Sequence, residues 1–116
     1  MSEDIDFEKM HRNTCMELTS LFVKKNHDYG NSFHEGFEEY GLVMSAVRID
    51  DKYRRFKRLI SSDSFVKNES IRDTLIDLAN YAIMTVIELD IQSSMSLSSA
   101  GRVENGEMSR ETIKAI

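Results

Sequence analysis

The chain has 116 residues, 41% hydrophobic and 30% charged, with no proline, no tryptophan and one cysteine. That length makes one domain with room for a core, and Cys15 alone forms neither an internal disulfide nor a thiolate zinc site, which suits a reducing cytoplasm. The acidic start MSEDIDFEKM lacks the apolar stretch of a signal peptide, no run reaches the length of a membrane span, and a formal net charge of −5 argues against a broad, stable nucleic-acid face.

Met10, Thr14, Leu18, Leu21 and Phe22 recur at helical spacing and predict a first helix from about Asp4 to Lys25. The stretch KKNHDYGNSF, residues 24 to 33, interrupts it with turn-forming Asn, Asp and Gly, and carries more polar groups than a helix–helix turn needs. A second helix follows, because Leu42, Ala46, Ile49, Tyr53, Phe56 and Ile60 step by 4, 3, 4, 3 and 4 residues and form a packing seam. Its start is ambiguous, since Glu35 to Tyr40 also reads as helical, with a break near Gly41. SSDS at 61 to 64 predicts a loop. Asn68 then caps a third helix from Glu69 to about Ile91, with acids in its first turn.

From Thr74 to Ile87 that third helix is apolar over most of its circumference, so two neighbours in one protomer would hardly cover it. It reads as the central helix of a bundle completed by a second subunit. Residues 92 to 106 are rich in Ser and Gly without periodicity and predict a linker, and EMSRETIKAI beyond reads as a short helix or a tail. The expected fold is therefore all-α: a three-helix protomer over residues 1–91 that assembles into an oligomeric bundle, followed by a flexible segment over 92–116.

Three constellations bear on chemistry. Residues 48 to 58, RIDDKYRRFKR, carry +4, leaving −9 for the rest. Arg48, Lys52, Arg55 and Arg58 fall off the seam on one side, and Arg48, Lys52 and Arg55 suit phosphate. The alternative is an exposed face balanced by acids. In ESIRDTLIDLANY, Glu69, Asp73 and Asp77 succeed one another at four-residue steps, with Asn80 on the same stripe. Asp77 lies among apolar residues and calls for a positive partner, either a magnesium ion or a basic side chain such as Arg48 or Arg55. Glu35 and Glu38 have the ExxE spacing that, on a helix, offers two carboxylates to one hard cation; the alternative is a solvated acidic turn. His27 and His34 lack metal-ligand spacing and read as ordinary polar residues.

The segments KNHDYGNSF, EEYGL, RIDDKYRR and ESIRDTLIDLANYAIM together resemble the nucleotide-modification-associated domain 1 family, small helical proteins common in bacteriophages and prophages. The resemblance spans about Lys24 to Ile91 and implies a nucleotide-related role. More distantly the chain is similar to all-α, MazG-like nucleoside triphosphate pyrophosphatases, which hold magnesium with ExxE on one helix and ExxD on another. Here Glu35 and Glu38 match the first motif, whereas the acids of the second are spaced by four.

If the loop folds over the acidic stripe, His27, Asp28, Tyr29, Asn31 and Ser32 line a polar pocket with Asp73, Asp77 and Asn80. Tyr29 or Phe33 would stack on a base while Arg48, Lys52 and Arg55 meet phosphates. The alternative makes Asn26 and Asp28 helix caps and Phe33 a core anchor. The leading expectation is a homo-oligomer in a host cytoplasm that binds a nucleotide or nucleotide-derived signal without a cofactor, for sequestration of a defence signal or handling of modified nucleotides. A magnesium-dependent pyrophosphohydrolase using Glu35, Glu38, Asp73 and Asp77, and a helical protein-binding adaptor, are the competing expectations. Whether the chain turns its ligand over is left open.

Overall fold

The computed structural model describes residues 4–25, 31–61 and 67–100, with side chains over 4–25, 31–61 and 69–96. Within them the chain forms four α-helices and no strand: α1 (Phe7–Lys24), α2 (Ser32–Tyr40), α3 (Leu42–Ile60) and α4 (Lys67–Ala100). The expected second helix is thus two helices. Gly41 separates them, at φ 71° and ψ −154°, a region open essentially to glycine. Its N–H donates to the Phe37 carbonyl at 2.7 Å and its own carbonyl accepts from Met44 N–H at 3.1 Å, so the bend is hydrogen-bonded on both sides.

α1 begins at Phe7 rather than Asp4 because Asp6 caps it, its carboxylate accepting from Lys9 N–H at 3.0 Å. Glu8 in the first turn and Lys24 in the last complement the helix dipole. Only Leu18 of α1 is buried, and Phe7 and Met10, on the same side, remain 72% and 57% exposed.

α3 and α4 are antiparallel, and three contacts fix their register. The Ser45 and Thr85 hydroxyls lie 2.9 Å apart, Lys52 meets Asp77 at 3.1 Å, and Arg55 reaches Thr74 at 3.3 Å. These contacts correct the expected α3 seam. Ala46, Tyr53 and Ile60 are exposed, whereas Ser45 is buried and Leu42, Ile49, Lys52, Phe56 and Leu59 are half-buried. The inward row is the same 4-and-3 pattern, turned so that a lysine takes a place that apolarity alone would assign to Tyr53.

α4 runs 34 residues, so the expected stop at Ile91 is corrected to Ala100. Serine costs a helix only a few tenths of a kcal/mol relative to alanine, and IQSSMSLSSA has neither proline nor glycine; the first glycine after it is Gly101. The core gathers Phe33, Phe37 and Met84, with Phe22, Leu42, Met44, Tyr81 and Leu89 packed round them. Phe33 and Tyr81 stack with ring centroids 5.9 Å apart, which fastens α2 to α4. No helix of the described residues is long and apolar enough to cross a membrane.

Candidate functional site

The basic residues of α3 converge on a groove. Arg48, Asp51, Lys52, Arg54, Arg55 and Arg58 line it, with Tyr81 of α4 as its aromatic wall, around a volume of about 390 Å³. Five cations share it with one carboxylate. They differ in how they are held. Lys52 pairs with Asp77, Arg55 donates through Nε to the Thr74 hydroxyl, and Arg54 donates through Nε to Asp50 at 2.6 Å. The Asp50 carboxylate, aided by Asp51, raises the Arg54 pKa further above its already high ordinary value. Arg48 and Arg58 have no ion-pair or hydrogen-bond partner among the described residues.

Thr74 completes this arrangement from α4. Its hydroxyl donates to the Ser70 carbonyl at 2.8 Å and accepts from Arg55, so the guanidinium is aimed by a buried side chain. A set of fixed and free guanidinium groups is the chemistry that takes phosphate oxygens, since each fork offers paired N–H donors.

A second groove of about 460 Å³ lies between α1 and α4, lined by Glu17, Ser20, Leu21, Lys24, Lys25, Asp73, Ile76 and Asp77. Its charge is mixed. Beside it Arg72 grips Glu17 through two bonds of 2.7 Å, which hold the Glu17 carboxyl below the usual range. Asp77 belongs to this groove and Lys52 to the basic one, so their ion pair is the partition between the two.

The expected site residues therefore fall into separate places. Arg48, Lys52 and Arg55 come together, and Asp77 joins them through Lys52. Asp73 is exposed in the α1–α4 groove. Asn80 is buried against α1, its Nδ2 donating to the Leu18 carbonyl at 3.4 Å, so it serves packing. Phe33 is also buried, in the core stack with Tyr81, which fits its reading as an anchor. Asn31 and Ser32 are exposed at the start of α2, and Asn31 makes no capping bond. His27, Asp28 and Tyr29 lie outside the described residues.

Glu35 and Glu38 are on a helix, as ExxE requires, and both are exposed. Their neighbour His34 bonds Glu88, eleven residues beyond Asp77 on α4 and so about 16 Å farther along the axis. The fold thus holds the ExxE pair apart from Asp73 and Asp77. Among the described residues no group of three or more His, Cys, Asp or Glu side chains is placed to hold a metal ion.

One constellation was not anticipated. Glu88 is 6% exposed, and its two oxygens lie 2.9 and 3.0 Å from His34 Nδ1, while His34 Nε2 is 3.3 Å from Glu38. The Glu88 hydrogen bond, with the Glu88, Glu38 and Glu35 charges, raises the His34 pKa above its ordinary value. A signal was present: Glu88 continues the row Asp77, Tyr81 and Met84 at steps of 4, 3 and 4.

The sequence profile of the family described as nucleotide modification associated domain 1 matches residues 25–89. That span includes α2, α3 and the part of α4 that packs on them. No curated protein and no solved structure matches the chain.

Proposed function

The chain belongs to the nucleotide modification associated domain 1 family, and from that premise we propose that it binds a nucleotide or nucleotide-derived signal, gripping the phosphates in the basic groove of α3. The observation that carries this reading is the pair Arg48 and Arg58, which line the groove without a partner among the described residues. Arg12, Arg54 and Arg72 are engaged by acids, whereas among the described residues Arg48 and Arg58, exposed in the groove, keep their donors for a ligand. Arg55 and Lys52, already oriented by Thr74 and Asp77, supply preorganised donors, and such preorganisation lowers the cost of binding.

Phosphate binding needs no metal here, because the groove supplies the countercharge itself. The same reading includes a homo-oligomer, supported by the exposed apolar residues Leu75, Ile83 and Val86 on α4. In a bacteriophage setting, retention of a host signal nucleotide, an anti-defence role in the host cytoplasm, is the use that binding without turnover would serve.

A nucleotide panel tests the proposal. The purified protein is incubated with mononucleotides, cyclic dinucleotides and ADP-ribose derivatives, with and without magnesium. Native mass spectrometry reads retained ligand, and chromatography reads product. Retention of an intact phosphorylated ligand is the expected result. Product formed only with magnesium would replace binding by hydrolysis, and no retention of any phosphorylated compound would remove the proposal.

A further inference from the structure

α4 has a face that the described residues of its own chain leave open. At about 100° per residue, Leu75, Ala79, Ala82, Ile83 and Val86 fall within an arc of about 100°. Leu75, Ile83 and Val86 are exposed and the two alanines half-buried. Thr74, Tyr81 and Thr85, which carry contacts to α2 and α3, lie outside this arc, as does Asn80, which meets α1. Two charges terminate the stripe. Arg72 and Asp90 are eighteen residues apart, which is five turns, so they project at the same angle from its two ends.

We infer that this face is the contact of a two-fold dimer in which α4 packs antiparallel on α4 of a second copy, crossing beside Ala79 and Ala82. The inference deepens the homo-oligomer part of the proposed function and rests on it. The occupant follows from self-complementarity. An antiparallel pair centred on position 81 sets Arg72 against the second copy's Asp90 at both ends. Leu75 then lies opposite the second copy's Val86, and Ala79 opposite its Ala82 and Ile83.

Small residues at the crossing let the axes approach closely, and larger apolar side chains fill the space on either side. A parallel pairing would set Arg72 on Arg72 and Asp90 on Asp90. Asp90 has no ion-pair or hydrogen-bond partner among the described residues. Arg72 spends two terminal N–H groups on Glu17, and three of its five donors remain for a second carboxylate. A two-fold contact is also the commonest closed arrangement, because one patch meets itself.

Light scattering on the full chain at micromolar concentration gives the first reading, with Val86→Lys as the disrupting variant. Val86 is 54% exposed, so the protomer keeps its helical circular dichroism after the change. Disulfide trapping in a Cys15→Ser background gives the second. In the antiparallel pair, two copies of Leu75→Cys stand about 18 Å apart along the axis, and two copies of Val86→Cys about 15 Å. A disulfide needs Cα atoms within about 7 Å. Each variant alone therefore stays uncrosslinked, and a mixture of the two forms a mixed disulfide.

A dimer, or a larger even assembly, that halves in mass with Val86→Lys and crosslinks only in the mixture is the expected result. A monomeric wild type overturns both the inference and the oligomer part of the proposed function, while leaving phosphate binding to the nucleotide panel. An oligomer that crosslinks within either single variant, fails to crosslink in the mixture, or is indifferent to Val86→Lys overturns this inference alone.

Discussion

Lys52 Nζ and Asp77 Oδ2 stand 3.1 Å apart, with side chains 27% and 23% exposed, at the middle of the antiparallel α3–α4 pair. Neither charge is fully solvated, and neither is sealed in the core. Each makes the other's position on an inward face tolerable, and together they fix which turns of α3 and α4 face one another. The acid that sequence alone marks as needing a positive partner has one, and it is the lysine of the basic row.

Asp77→Ala leaves Lys52 half-buried beside the gap. The cost lies between the values for exposed and buried pairs, about 1–3 kcal/mol. Glu69→Ala, at an exposed site in the first turn of α4, changes stability by less than about 0.5 kcal/mol. Urea unfolding followed by circular dichroism compares them. Equal, small losses would mean that the Lys52–Asp77 pair adds nothing to the fold.

The two helical-segment glycines of α2 and its junction separate conformation from space. Gly41→Ala forces a Cβ into the positive-φ bend although no atom of the described residues lies within 4 Å of it, so the loss is backbone strain of about 1–3 kcal/mol. At Gly36 the new Cβ comes 3.2 Å from Met44 Cε, the flexible end of a long side chain. Met44 yields, and the gain in helix propensity of about 0.5–1 kcal/mol offsets the contact. Thermal unfolding of the two variants reads the difference, and a larger loss at Gly36 would reverse the assignment.

The helices were legible because 3.6-residue periodicity survives in α1, α3 and α4, and the break at Gly41 was visible as a glycine in an otherwise helical run. The rotation of α3 was not. Tyr53 and Ile60 read as core by their apolarity, but the inward row is chosen jointly by Ser45 with Thr85 and Lys52 with Asp77, polar matches that only the pairing of two distant segments reveals. Glu88 sits on a readable row, but the partner of its buried carboxylate was not readable, because His34 lies 54 positions away. The basic row of the candidate site was readable because it lies on one helix. Which of its members are engaged, and which are free, depended on residues of α4.

His34 gives the fold a pH dependence with a definite sign. Its folded-state pKa is raised from 6.5, chiefly by the hydrogen bond to Glu88. The associated stability is fully present below the ordinary value and is lost as pH rises through the raised one. The urea midpoint of the wild type should therefore fall on going from pH 6 to pH above the raised value, by an amount that Glu88→Gln largely removes. A Glu88→Gln protein with the same slope as wild type would assign the dependence to other groups.

The basic groove makes a sharper prediction for Arg48 and Arg58 than for Arg55. Reversing Arg55 also breaks its bond to Thr74, so lost binding there mixes with lost packing. Arg48 and Arg58 hold no partner among the described residues, and Arg48→Glu and Arg58→Glu should leave the urea midpoint nearly unchanged. If they meet phosphates, each removes a hydrogen bond to a charged group worth about 1.5–3 kcal/mol, roughly 10- to 150-fold in affinity. Lys9→Glu on exposed α1 is the control for net charge. Titration calorimetry with the retained nucleotide, repeated at two salt concentrations, separates contact from general attraction, because screening weakens the Lys9→Glu effect most. Arg48→Glu and Arg58→Glu proteins that bind as the wild type does would show that these two arginines take no phosphate, and the phosphate site would have to be sought elsewhere in the fold.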